Sequence, residues 1–228
     1  MNNSDFNSEK QKFFLALTKS IIFIGILWIL FLLNNTFMLN WNEFGLFPRT
    51  INGLRGIVTM HFLHADLEHL FSNSLPLLFL GFGIFYFFQE KSLLIFIMSG
   101  LITGILTWSI GSPGIHIGAS GLVYAFAFFL VTISIIKMET TLMAYTLIIV
   151  FLYGSLVWGF FPALFPDKHI SWEGHLSGAI TGVILAFFYR NEGPKRKIYF
   201  ADEEEDENEE DEENNDFDII DNSELNNY

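Results

Sequence analysis

The chain has 228 residues, of which 51% are hydrophobic and only 16% are charged. A soluble domain usually carries about 25% charged residues, so the composition excludes an ordinary soluble enzyme and indicates a membrane protein. Acidic residues are concentrated between Asp202 and Glu224, so the net charge of −13 belongs to the C-terminal end. The chain has no cysteine, which excludes disulfides and thiolate metal sites.

Six apolar segments are each long enough to cross the hydrocarbon core of a bilayer, which takes about 20 residues per helix. They cover residues 20–39, 69–88, 92–110, 119–137, 140–161 and 174–190. We therefore predict an all-α membrane protein with six transmembrane helices and no cleavable signal peptide. The predicted divisions are a cytoplasmic segment 1–18, a membrane domain 19–192, and a basic edge with an acidic disordered tail 193–228.

The basic residues predict how the six spans are oriented. If both termini are cytoplasmic, nine Lys and Arg residues lie on the inner side, and Arg49, Arg55 and Lys168 lie on the outer side. This positive-inside bias favours an N-in, C-in topology. Spans two, four and six then begin at the outer face, so the polar residues in their first turns lie at a similar depth.

Span four opens with the sequence Gly-Ala-Ser-Gly at 118–121, and span six opens with His175. A serine and a histidine are the nucleophile and the base of a serine protease, if the fold brings Ser120 and His175 together. Glycine recurs every fourth residue beside the histidine, at positions 174, 178 and 182, a pattern that lets a neighbouring helix approach closely. The alternatives are that Ser120 serves helix packing and that His175 is an interfacial histidine bonded to a loop carbonyl.

His69 and Asn73 are spaced i, i+4 and project from one face of span two. With the backbone N–H of Ser120, they are candidate donors to the oxyanion that develops during acyl transfer. The alternative is that they tie down the preceding loop, which is how we interpret His61 and His64 from the spacing alone.

Tyr124 lies one turn after Ser120, where its ring is expected to pack against the imidazole of His175. Ordinary helix packing is the alternative. Glu173 is expected to lie in the loop before span six, so it is not assigned as a third catalytic residue. We expect no metal and no cofactor: several histidines suggest zinc as a minor alternative, but the chain has no His-Glu-x-x-His motif.

Together, these residues resemble the rhomboid family of intramembrane serine proteases over residues 53–190. The residues that carry the resemblance are His64, His69, Asn73, Gly118, Ala119, Ser120, Gly121, Tyr124, His175, Gly178 and Gly182. The resemblance implies a six-helix bundle with a Ser–His dyad and no acidic third member. It also implies that residues 40–68 form a loop partly in the outer leaflet. The family often has Trp-Arg in this loop where the chain has Leu54-Arg55, which leaves the role of Arg55 open.

The expected function is an intramembrane serine endopeptidase that cleaves transmembrane-helix substrates near the outer face. Its expected partners are single-span membrane proteins and the lipid bilayer, with no nucleic acid, and residues 160–173 are expected to cap the site. The chain fits a multi-pass protein of a bacterial plasma membrane, with an organellar membrane as the alternative. A catalytically silent relative that binds membrane helices, and a small transporter or channel, are the competing interpretations.

Overall fold

The computed structural model describes residues 3–161 and 171–196. The α-helices are α1 (Asn3–Phe37), α2 (Gly56–Thr59), α3 (Leu67–Phe87), α4 (Gln89–Ile110), α5 (Ser120–Lys137), α6 (Thr140–Tyr153) and α7 (Trp172–Phe188). Short 3-10 helices cover Trp41–Phe44, Asn52–Arg55, Met60–Phe62 and Gly154–Phe160. Within the described ranges, β structure is limited to one antiparallel bridge between Leu46 and His116.

Among the described residues, five helical stretches are long and apolar enough to cross a membrane. They are Phe6–Phe37, Leu67–Phe87, Gln89–Ile110, Ser120–Lys137 and Thr140–Phe160. The all-α, multi-pass membrane architecture predicted from composition is therefore confirmed. Helix α7 has 17 residues, slightly fewer than a typical span, so the sixth crossing and the orientation of the bundle stay predictions.

Side-chain caps fix where three of the helices begin. Asp66, Glu139 and Ser171 each accept a hydrogen bond from a backbone N–H in the first turn of α3, α6 and α7, respectively. The ends of α3, α4, α5 and α7 lie within three residues of the predicted spans. Helix α5 differs from the three capped helices because no side chain caps its first turn, which starts at Ser120.

Helices α5 and α7 form the most closely packed pair near the centre of the bundle. A Cβ atom added to Gly178 would lie 2.2 Å from the carbonyl oxygen of Gly121, and one added to Gly182 would lie 2.3 Å from that of Ala125. Any side chain at either glycine would therefore push the two helices apart. The small-residue pattern in the sequence predicted this type of contact, and the close packing is confirmed.

Helix α1 begins at Asn3, long before the predicted start of span one at residue 20. Its polar first half continues as helix because it packs against the end of α3. The phenol of Tyr86 donates a 2.9 Å hydrogen bond to the Glu9 carboxylate, and the rings of Phe13 and Phe82 meet edge to face at 5.1 Å. Helix-forming residues such as Glu9 and Lys12, together with these tertiary contacts, thus extend the helix beyond the apolar segment.

Helix α6 is the least enclosed of the five candidate spans. In the stretch Thr140–Phe160, which combines α6 with the following 3-10 helix, only 17% of the most apolar part is buried within the protein, compared with 61% for α5. Its contact with α3 includes the Tyr145 hydroxyl, which donates a hydrogen bond to the carbonyl of Phe79. Large apolar side chains on α6, such as Phe151 and Leu147, face outward, where a bilayer would cover them.

The long loop between α1 and α3 is held by backbone contacts. Leu46 and His116 exchange two backbone hydrogen bonds of 3.0 and 2.8 Å, which joins this loop to the segment before α5. A Cβ atom on Gly104 would lie 2.3 Å from the carbonyl oxygen of Ile57, so the short helix α2 rests directly on α4. The loop is therefore an ordered part of the fold.

Arg55, whose role the sequence left open, braces this loop internally. Its guanidinium donates a 3.0 Å hydrogen bond to the carbonyl of Glu43 and lies 4.4 Å from the centre of the Phe44 ring. The side chains of Phe44, Phe47 and Leu54 remain exposed. Exposed apolar side chains on this loop are compatible with the predicted contact with the outer leaflet.

Candidate active site

Ser120 and His175 lie within hydrogen-bonding distance. The Nε2 atom of His175 is 3.0 Å from the Oγ atom of Ser120. Ser120 is the first residue of α5 and His175 lies in the first turn of α7, so the contact is a consequence of how these two helices pack. The glycine contacts one to two turns deeper set the helix separation that this distance needs.

The second ring nitrogen of His175 identifies its tautomer. Nδ1 lies 2.9 Å from the carbonyl oxygen of Gly159, which can only accept a hydrogen bond. In the neutral ring, Nδ1 must therefore carry the proton, and Nε2 is left with a lone pair directed at the Ser120 hydroxyl. This is the tautomer that a general base facing a serine requires.

Tyr124 packs flat against His175. The two rings are 4.2 Å apart between centroids and inclined by only 12°. The Tyr124 hydroxyl donates a hydrogen bond to the carbonyl of Leu156, which fixes the phenol ring from its other end. Both His175 and Tyr124 are buried, so the imidazole has little freedom to rotate.

Glu173 lies in the first turn of α7 and is buried, whereas the sequence analysis expected it in the loop. The difference arises because Ser171 caps the helix two residues earlier than predicted. The Glu173 carboxylate accepts hydrogen bonds from the backbone N–H of Ser112, at 3.0 Å, and from the Ser112 hydroxyl. Its contacts tie α7 to the segment before α5, and the carbonyl of Gly159 occupies the position behind His175.

His116 strengthens the same connection. Its Nδ1 atom is 2.6 Å from the Ser171 hydroxyl and its Nε2 atom is 2.9 Å from the carbonyl of Ser112. Glu173 and His116 together bind the segment that leads into Ser120 to the start of the helix that carries His175. Neither tie was predicted, because the partners are far apart in sequence and a serine hydroxyl carries no specific pattern.

Asn73 is buried, and its side-chain nitrogen has no hydrogen-bond acceptor among the described residues. A buried amide N–H without a partner costs about 1–3 kcal/mol, so an acceptor that binds it would recover that free energy. An oxyanion donor must have a free N–H before substrate binds, and the unused amide N–H of Asn73 is consistent with that candidate role. The other candidate donor, His69, is half-buried one turn earlier on α3.

Gly118 allows the segment before Ser120 to lie against the His69 ring. Its φ of 117° is favourable only for glycine, and a Cβ atom there would lie 2.5 Å from two atoms of the His69 ring. Gly121 is similarly restricted, because its Cβ would lie 2.9 Å from the Thr103 methyl group. Both glycines of the Gly-Ala-Ser-Gly sequence are therefore required by close contacts.

His64 also supports this segment. Its Nε2 atom accepts a 3.4 Å hydrogen bond from the backbone N–H of Ala119, and its ring meets that of His69 edge to face at 5.1 Å. Burial and, to a smaller extent, the positive charge that His69 can carry lower the pKa of His64 to about 3. The ring is therefore neutral near pH 7 and can act as this acceptor.

His61 has a separate bracing role. Its Nε2 atom is 2.9 Å from the carbonyl of Gly100 on α4, and burial lowers its pKa to about 4. Within the described residues, no group of three or more His, Asp or Glu side chains is arranged to hold a metal ion. The histidines near the site thus make hydrogen bonds and ring contacts within the protein.

The carbonyls of Gly159 and Leu156 were missed by the sequence analysis. Both belong to the 3-10 helix Gly154–Phe160, which accepts one hydrogen bond from His175 on α7 and one from Tyr124 on α5. A backbone acceptor leaves no residue-type signal, so no motif could have indicated it. Most of the predicted cap, residues 162–170, lies outside the described residues, and so does the acidic tail.

Comparison with known proteins identifies the family of the chain. The family model of the Rhomboid domain matches residues 52–192. Proteins of Mycobacterium bovis and Mycobacterium tuberculosis, both described as uncharacterized, are 29% identical over 201 residues, which cover 83% of this chain and 81% of each relative. An uncharacterized protein of Mycobacterium leprae is 34% identical over 151 residues, 63% of this chain and 59% of that protein.

Proposed function

The chain belongs to the rhomboid family, and from this membership and the geometry of the site we propose that it is an intramembrane serine endopeptidase. The observation that carries the proposal is the 3.0 Å distance between His175 Nε2 and Ser120 Oγ. The family's proteases act on peptide bonds of membrane-embedded helices. The proposed substrates are accordingly single-span membrane proteins.

In the proposed mechanism, Ser120 attacks the carbonyl carbon of the substrate peptide while His175 Nε2 takes the hydroxyl proton. The tetrahedral intermediate carries its negative charge on the former carbonyl oxygen. His175 then gives the proton to the leaving amine, and the peptide C–N bond breaks to leave an acyl-enzyme on Ser120. Water, activated by the same imidazole, hydrolyses the ester and regenerates the serine.

The proposed oxyanion donors are the unpaired Asn73 amide, the His69 imidazole and the backbone N–H of Ser120. Helix α5 has no side-chain cap, so its first N–H groups and the positive end of its dipole are directed at the same region. We expect Asn73→Ala to lower kcat on the order of 100-fold, as loss of one oxyanion donor does elsewhere. Initial-rate kinetics on a model substrate measure this, with Asn35→Ala, an exposed asparagine on α1, as the control.

In the proposed site, the Gly159 carbonyl orients the imidazole of His175, as the aspartate does in a Ser-His-Asp triad. A neutral carbonyl holds Nδ1–H in place but stabilises an imidazolium less than a carboxylate does, because it carries only a partial charge. The flat contact with Tyr124 keeps the ring in the plane that faces Ser120. The proposed catalytic pair is thus a dyad with positioning residues, Tyr124 and Gly159.

The proposed topology has six crossings with both termini in the cytoplasm and α7 as the sixth span. This orientation follows from the basic residues and puts Ser120 and His175 near the outer face. A substrate helix must unwind there, because its peptide carbonyls are otherwise hydrogen-bonded within the helix. Glycine or other weak helix formers near the scissile bond should make cleavage faster. A bacterial plasma membrane is the proposed location.

A fluorophosphonate probe and a cleavage assay together test the function. We expect the wild-type protein in liposomes to be labelled at Ser120 and to cleave a single-span substrate. Ser120→Ala should lose both properties, and His175→Ala should lose cleavage, since removing either member of such a unit costs on the order of 10⁶-fold in kcat. Ser109→Ala removes an exposed serine at the end of α4 and should behave as wild type.

The same assays separate the alternative, a catalytically silent family member that binds membrane helices. If folded wild-type protein is neither labelled nor active while it still retains the single-span protein, the silent alternative is correct. Cleavage that persists in Ser120→Ala would exclude this residue as the nucleophile.

A further inference from the structure

A cavity of about 500 Å³ opens at the ends of α5 and α7 that are opposite the candidate active site. Helix α5 runs from Ser120 to Lys137 and α7 from Trp172 to Phe188, so the cavity and the Ser–His contact lie at the two ends of the same helix pair. The lining residues are Ile136, Lys137, Arg190, Asn191, Pro194, Lys195 and Arg196.

Four of the seven lining residues are cationic, and none of the seven is acidic. Within the described ranges, no carboxylate forms an ion pair with any of these four side chains. Glu192, which is close in sequence, pairs with Lys91 at 3.8 Å. Glu192 also contributes negative charge near Lys137. The four cationic side chains are exposed or half-buried, where solvent screens their mutual repulsion, and together they give the cavity a concentrated positive charge that can attract an anion.

The surface around the cavity is apolar on the sides of both helices. Ile135 on α5 and Phe187 and Phe188 on α7 are exposed by 62%, 56% and 76%. Ile136 forms part of the cavity wall itself. A ligand that fits both features has a compact negative group attached to long apolar chains.

We propose that this cavity binds the phosphate-bearing headgroup of an anionic phospholipid, with its acyl chains along the exposed faces of α5 and α7. The arginine guanidinium groups offer paired donors that match phosphate oxygens, and the lysines add positive charge. In the proposed topology, this lipid belongs to the inner leaflet. The proposal depends on the membrane location of the bundle and makes no use of the catalytic step.

Native mass spectrometry of the full-length protein tests the proposal. Protein in detergent is titrated with phosphatidylglycerol or with phosphatidylcholine of the same acyl chains, and a third series contains inorganic phosphate. We expect retention of phosphatidylglycerol well above phosphatidylcholine. Lys137→Gln/Arg190→Gln should weaken phosphatidylglycerol binding by roughly 25-fold, about fivefold for each charge removed.

The matched control is Lys10→Gln/Lys19→Gln, which removes two charges from the same predicted membrane side at residues that do not line this cavity. It should bind phosphatidylglycerol as the wild type does, and every variant keeps the acidic residues 202–224, so the tail contributes equally throughout. Fluorophosphonate labelling or, independently of activity, a thermal melt establishes that each variant is folded.

Three results would overturn the lipid proposal. One is equal retention of the two lipids by wild-type protein, and another is an equal loss of binding in both double variants. The third is inorganic phosphate that competes as strongly as the lipid, because the cavity would then be a site for a free anion. None of these outcomes depends on whether Ser120 is catalytic, so failure here and failure of the protease proposal are distinguishable.

Discussion

Two parts of the molecule hold His175, and they are anchored in the fold to very different degrees. On one side, α5 and α7 meet backbone to backbone at Gly178 and Gly182, deep within the bundle. On the other side, the carbonyls of Gly159 and Leu156 come from a 3-10 helix that continues α6, the least enclosed candidate span. The proposed site therefore joins a rigid helix pair to a more lightly held orienting segment.

We therefore expect the two regions to control different properties of the site. The helix pair determines whether the Ser120 hydroxyl and the His175 imidazole meet at all. The 3-10 helix determines which tautomer and ring orientation the imidazole adopts when they meet. Substitutions in the first region should therefore change both stability and activity, and substitutions in the second should change activity with little effect on stability.

Gly178→Val should have the larger combined effect. Its Cβ would lie 2.2 Å from the carbonyl of Gly121, so α5 and α7 must separate, which typically costs about 1–3 kcal/mol in unfolding free energy. Because that separation also moves Ser120 from His175, we expect cleavage to fall on the order of 100-fold or more. A thermal melt and initial rates measure the two effects.

The control for this substitution is Gly25→Val on α1, where an added Cβ would meet nothing within 4 Å. It introduces the same β-branched residue into a helix without a packing conflict and should keep near-normal stability and activity. Normal activity in Gly178→Val would contradict the role assigned to the helix pair.

Gly159→Ala should separate activity from stability. The added Cβ would lie 2.0 Å from the Tyr124 hydroxyl oxygen and 2.9 Å from His175 Nδ1, so the 3-10 helix must shift and withdraw its carbonyl. A displacement of about 1 Å at a catalytic group can cost on the order of 100-fold in rate. We expect such a loss in kcat with a melting temperature close to that of the wild type.

Gly154→Ala provides a control within the same 3-10 helix, since its Cβ would meet nothing within 4 Å. If both alanine variants lose activity equally, the effect would come from stiffening the segment in general. If neither does, the carbonyl of Gly159 is not needed to orient the histidine.

Tyr124→Phe should have the smallest effect. It keeps the ring stacked on His175 and removes only the hydrogen bond to Leu156, which typically contributes about 1 kcal/mol. If all of that free energy were lost from the transition state, kcat would fall roughly fivefold. Tyr124→Leu also removes the stacked ring and should be more impaired. Equal rates for the two variants would mean that the stacking contributes nothing, and kcat for each variant is the measurement.

The sequence predicted the elements whose signal lies in residue type. Apolar length located the spans, and the glycine repeat beginning at Gly174 indicated the close helix pair that sets the Ser120–His175 distance. The extent of α1 was missed because hydropathy locates only its apolar part, while the polar first half is helical and contacts α3 through Glu9 and Tyr86. Sequence periodicity reflects the intrinsic preference of a segment and contains no information about its contacts with residues far away in the sequence.

The orienting contacts were beyond sequence analysis for a different reason. Any residue type supplies a carbonyl, so Gly159 and Leu156 carry no sign of their role. Glu173 was misplaced because the cap at Ser171 starts α7 earlier than hydropathy suggests. The contact of Ser120 with His175 was predicted from residue types, whereas the backbone acceptors and the partners of Glu173 and His116 required the fold.

The bonds from Glu173 and His116 to Ser112 and Ser171 have a consequence for motion. They join the segment just before Ser120 to the start of the helix that carries His175. A substrate that separates other helices of the bundle would therefore move the segment before α5 and the start of α7 together. The serine and the imidazole would then stay in register while the surrounding helices part to admit a polypeptide.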